Sequence, residues 1–91
     1  MTVYKYYAVI HQAEDEDAFI VDFPDIENCF TDGETLGHAV EMAHDALGLL
    51  LSVEEDDNTP IPKASSAKDI DLPEGASLVL IEVNTDDFRE S

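Results

Sequence analysis

Basic residues are scarce in this chain. Four Lys plus Arg face 22 Asp plus Glu over 91 residues, for a net charge of -18. A nucleic-acid-binding surface neutralises phosphates with Lys and Arg, and nothing of that kind can be assembled here. An anionic membrane surface would repel the chain too. Cysteine is nearly absent: Cys29 stands alone, so no internal disulfide can form. That fits a reducing compartment. Long hydrophobic runs are missing as well, and a bilayer-spanning helix takes about 20 apolar residues. The first residues, MTVYKYYAVI, lack the longer apolar segment and cleavage site of a signal peptide. These absences together place the expected location in the cytoplasm. The 44% hydrophobic content is that of a globular protein, not of a disordered acidic tail. The length allows one domain and one modest core. A surface this negative attracts basic partners and speeds their encounter, although acidity can also serve solubility alone.

Local pattern supplies an element order. Tyr4 to His11 is rich in aromatic and β-branched residues, which suit a strand. Asp15, Glu16 and Asp17 form a polar turn. Ala18 to Phe23 alternates, with Phe19, Val21 and Phe23 on one face, so the two runs read as an antiparallel hairpin. Pro24 cannot donate to a ladder and ends the second strand. Cys29 to Thr31 makes a short third strand, and Asp32-Gly33 reads as the next turn. Thr35 is placed to cap a helix from Leu36 to about Val53. Its apolar face is Leu36, Ala39, Val40, Ala43, Leu47, Leu50 and Leu51. Met42, Ala46 and Leu49 form a weaker second stripe, to be covered by the following connection or by a partner. Gly37 and Gly48 sit on one flank, where a second backbone could come close.

The four acids from Glu54 to Asp57 oppose the helix dipole, and Asn58 and Pro60 stop the helix. A connection with Pro60, Pro62 and Pro73 follows, in which Ser65-Ser66 caps one short turn. "SLVLIEVN", residues 77 to 84, is almost wholly apolar, as in a strand buried on both faces. The resulting fold is α+β, β-β-β-α-β, with sheet order 3-2-1-4 and the helix on one face. A strand reached through a helical crossover can lie parallel to an earlier one. The opposite sheet face carries Tyr, Val and Ile and is a candidate interface.

Three constellations could carry chemistry. The element order is similar to the first part of the RNase H fold, whose nucleases hold metal ions with clustered acids. The first strand of that fold supplies an inward aspartate, yet here no acid precedes Glu14. Asp22, Asp25, Asp32 and Glu34 fall at strand ends and turns, so a metal-dependent nuclease or remnant hydrolase is an alternative reading, beside that of a stand-alone acidic adaptor. Cys29 lacks any nucleophile signature and reads as a small core residue. His38, Glu41 and Asp45 share a helix face at steps of three and four, without the two-His pair of a metal helix.

"YAVIHQAEDEDAFIVDFPDIENCFTDGETLGHAVEMAHDALGLLL", followed by "PIPKAS", resembles the HicB-type antitoxins over about residues 4 to 84. Phe23-Pro24-Asp25, Cys29-Phe30-Thr31, Gly33, Thr35-Leu36 and Pro60-Ile61-Pro62 carry the resemblance. The chain departs from the pattern at Glu27-Asn28, where Pro-Gly is usual, and at Glu14-Asp15-Glu16-Asp17. It departs again at Gly37-His38, where acids would complete a capping box. The resemblance implies a partial RNase H-like fold without nuclease activity. It also implies the antitoxin role in a type II toxin–antitoxin pair, inhibiting a small basic HicA-type ribonuclease toxin. A homo-oligomer is expected, with no cofactor or metal. Residues 1–85 would form this domain, and 86–91 a polar tail or the start of a linker to a C-terminal DNA-binding module. Asp22, Asp25, Glu27, Asp32 and Glu34, near the strand ends and the helix start, are the expected partner-binding residues.

Overall fold

The computed structural model describes residues 2–14, 17–27 and 29–88. The order is β1 (Val3–Gln12), β2 (Phe19–Asp22), β3 (Phe30–Gly33), α1 (Leu36–Asp56) and β4 (Ser77–Asn84). Short 3-10 turns lie at Ala67–Asp69 and Thr85–Phe88. The strands form one sheet in the order β3-β2-β1-β4. The acidic turn at Asp15 and Glu16, the turn at Asn28 and the tail from residue 89 lie outside the described residues.

Alternation builds the core. Tyr6, Ala8 and Ile10 of β1, Val21 of β2, and Ile81 and Val83 of β4 point to one face. There they meet Ala39, Ala43, Leu47 and Leu51 of α1, spaced at four-residue steps. Phe23, Ile26 and Cys29 close the same core from the β2–β3 connection. Leu36 departs from the expected apolar face and is 45% exposed. It opens the helix, one turn before the stripe reaches the sheet.

Three expectations are corrected. Asp32 and Gly33 belong to β3, paired with Ile20 and Phe19, and do not form a turn. Gly33 stays in the ladder because α1 crosses directly over it. A Cβ there would lie 2.7 Å from Ala39 Cα and 2.8 Å from the His38 carbonyl carbon. β4 pairs with β1 antiparallel, from Val3 opposite Asn84 to Ile10 opposite Ser77. The 21-residue helix is about 31 Å long, enough to run the length of β1. It therefore ends near the start of β1, where the Tyr4 hydroxyl donates to Glu55 Oε2 at 2.8 Å. Residues 57–76 then carry the chain back along the sheet, so β4 begins beside Ile10. Nor is β4 buried on both faces: Ile81 and Val83 are buried, Leu80 and Glu82 exposed.

The helix ends are closed by local chemistry. Thr35 Oγ1 accepts from the His38 backbone N–H at 3.0 Å, and His38 Nδ1 accepts from the Glu34 N–H at 3.3 Å. His38 thus reaches back to the residue before the cap, where a capping-box acid would instead accept from the Thr35 N–H. At the other end Asn58 takes φ 56. Its N–H donates to the Glu55 carbonyl, and the Thr59 N–H to that of Glu54. This is a Schellman end, and it carries the helix through acids that oppose the dipole.

Candidate functional site

The outer edge of the sheet at β3 concentrates exposed acids and exposed apolar side chains. Residues directly opposite in an antiparallel pair share a face. Asp22 stands opposite Phe30, and Ile20 opposite Asp32, both pairs on the sheet face that α1 leaves open. All four residues are exposed, Phe30 by 70%. A shallow depression of about 440 Å³ is lined by Ile20, Phe30, Thr31 and Asp32. On the helix side of the same edge a second depression, of about 340 Å³, is lined by Cys29, Phe30, Ala46, Leu49, Leu50 and Val53. Leu49 is 55% and Val53 53% exposed. Apolar surface therefore wraps from the open face, around β3, onto the helix.

The five expected acids are placed differently from one another. Asp22 and Asp32 come together around Ile20 and Phe30. Glu34 is exposed at the bend before α1, and Glu27 is exposed in the β2–β3 connection. Asp25 turns toward the chain itself. Its Oδ2 accepts from the Ser65 N–H at 2.8 Å, and its Oδ1 accepts from the Ser65 hydroxyl at 2.7 Å. The Tyr6 hydroxyl donates to the Pro62 carbonyl oxygen nearby. The connecting segment is thus stapled beside β2 and β1, and is not among the residues lining the depression at Leu49. The second helix stripe stays open there. Sequence reasoning flagged Leu49 but missed Phe30 and Val53. The signal for Phe30 was its parity: two residues before Asp32, it points to the same face.

Among the remaining candidates, Cys29 packs in the core. Cys29 is 4% exposed, and its thiol is pushed up to about 11 from the ordinary 9.0, first by burial, then by Asp22 and Glu54. A thiol so disposed is a poor nucleophile at neutral pH. His38, Glu41 and Asp45 are exposed on α1. Among the described residues no three His, Cys, Asp or Glu side chains are grouped to hold a metal ion. No described helix is long and apolar enough to cross a membrane. Gly48 is closely approached not by a backbone but by the Phe88 ring, which also lies 5.5 Å from the His44 ring. A Cβ at Gly37 would meet nothing.

This fold, an antiparallel sheet with one helix on one face, is that of antitoxin domains. It superposes on a chain of a toxin–antitoxin complex from Streptococcus pneumoniae with a TM-score of 0.88, at 18% identity, over 99% of this chain and 75% of that one. The N-terminal domain of Burkholderia pseudomallei antitoxin HicB gives 0.74 at 18% identity, over 86% and 95% of the two chains. A chain of the HicA3 and HicB3 toxin–antitoxin complex gives 0.70 at 25% identity, over 89% and 99%. There is no significant match among curated proteins. The family model for HicB-like antitoxins of bacterial toxin–antitoxin systems matches residues 6–90, and the chain belongs to that family.

Proposed function

We propose that this protein is the antitoxin of a type II pair and inhibits a small, basic, RNA-cleaving toxin of the HicA type. Family membership over residues 6–90 carries the reading, and the charge supports it. A ribonuclease must present positive charge to the phosphates of RNA. A protein of charge -18 competes for that surface and is steered to it. Inhibition is by occupancy: the antitoxin covers the toxin's RNA-binding face and performs no catalysis itself. Asp22, Glu27, Asp32 and Glu34 supply partner-facing charge, and Asp25 holds the rim by fixing the connection at Ser65. Residues 1–85 act as the toxin-binding unit, in the cytoplasm where the toxin's RNA substrates are. The test is reconstitution with its cognate small basic ribonuclease of the HicA type. A stable complex that no longer cleaves RNA is expected. Undiminished cleavage in the presence of excess antitoxin would reject the proposal.

A further inference from the structure

The acids account for attraction, but not for where a complex is held. In stable interfaces, large apolar side chains at the centre carry most of the affinity and a polar rim surrounds them. The β3 edge has that anatomy. Phe30, Leu49 and Val53 are large, apolar and more than half exposed. They frame the depression of about 340 Å³ floored by Cys29, Ala46 and Leu50. Asp22 and Asp32 flank Phe30 on the sheet side. Asp45, Leu49 and Val53 of α1 and Asp57 at its C-cap recur at steps of four, so an acid stands at each end of the apolar pair. None of the residues lining the depression is basic. Lys5 lies away from this edge, on β1, 3.7 Å from Glu82 of β4.

We infer that this seat holds the basic toxin, with Phe30 as its central anchor and Leu49 and Val53 as the facing wall. The inference rests on the proposed antitoxin role and names the surface through which it is exercised. Charge selects the occupant. A second copy would bring its own acids against Asp22, Asp32, Asp45 and Asp57, and like charges face to face are costly. A partner with Lys and Arg around a small apolar protrusion satisfies both the rim and the centre.

The seat is tested by binding kinetics between this chain and its cognate HicA-type basic ribonuclease, with Phe30→Ala, Val53→Ala and the control Leu80→Ala. Leu80 is similarly exposed, at 48%, but on β4 at the far edge of the sheet. All three positions are on the surface, and unchanged thermal melts check that folding is retained. Phe30→Ala should weaken binding roughly tenfold or more, mainly through faster dissociation, and Val53→Ala by a smaller factor. Leu80→Ala should leave it unchanged. Wild-type binding with no loss in Phe30→Ala or Val53→Ala overturns the seat while leaving the antitoxin role standing. A dimer that Phe30→Ala dissociates, with toxin affinity unchanged, assigns the seat to a second copy and also overturns it. Absence of wild-type binding removes both.

Discussion

Cys29 is a core thiol that its surroundings hold in the protonated form. It sits beneath the β3 edge in the core, with Asp22 and Glu54 contributing to the upward shift of its thiol. The linkage has a definite sign. Between pH 9 and about 11 the unfolded thiol ionises while the folded one keeps its proton. The unfolded state then binds fewer protons, so stability falls as pH rises, by on the order of 2 kcal/mol at the upper end. Tyr6 is also raised above its ordinary 10.0, by burial and then by Asp25 and Glu54, and adds to the loss above pH 10. Urea midpoints measured from pH 8 to 10.5 should decline, and more shallowly in Cys29→Ala. Equal slopes would remove Cys29 from the account. Thr85 offers the opposite case. It is 1% exposed, and among the described residues its buried hydroxyl oxygen has no hydrogen-bond partner. Replacing an orphaned hydroxyl by a methyl group of similar shape removes a desolvation cost. Thr85→Val is therefore expected to stabilise the protein by about 1 kcal/mol, read from the shift in denaturation midpoint at constant m-value.

At the scale of elements, two glycines mark where packing leaves no room for a side chain. Gly33→Ala puts a Cβ against the backbone of Ala39 and His38. Neither strand nor helix can yield without breaking its ladder, so a loss of about 1–3 kcal/mol is expected. Gly48→Ala meets only the Phe88 ring, which can swing away. Its signature should be loss of protection in residues 85–88 by hydrogen exchange, with the rest of the fold intact; equal damage in both variants would contradict this. The same contrast explains what the sequence reveals. The aromatic and β-branched run of β1, period-two alternation in β2 and four-residue steps in α1 identify most of the core because each strand or helix carries its own signal. Thr35 and Asn58 announce the helix ends for the same reason. The direction of β4 carries no such mark. It is decided by residues 57–76, whose path depends on contacts distant in sequence, Asp25 with Ser65 and Tyr6 with Pro62. The exposed edge is legible only in part. Asp22 and Asp32 are recognisable as acids, but their meeting around Ile20 and Phe30 follows from strand register, which no single segment contains.

For the whole molecule, a net charge of -18 acts on folding and on binding in opposite senses. The domain is a thin slab, 40 × 28 × 18 Å, with one layer of sheet and one of helix. No charge is far from the surface, and like charges crowd within it. At about 0.01 M salt the screening length is roughly 30 Å, and at 0.1 M roughly 10 Å. At the lower concentration acids across most of the 40 Å axis therefore repel one another, whereas at the higher only near neighbours do. Self-repulsion is weaker in the expanded unfolded chain, so added salt should stabilise the fold. A gain of about 1 kcal/mol corresponds to roughly 5 °C in a domain of this size. Screening also weakens steering of a basic toxin, so its association rate should fall over the same range while dissociation from the apolar seat changes little. Thermal melts and binding kinetics across one salt series test both responses. A melting temperature that rises while the association rate falls is the expected pair. If both rose together, the acids would be serving solubility alone, and the charge would lose its place in the account of toxin recognition.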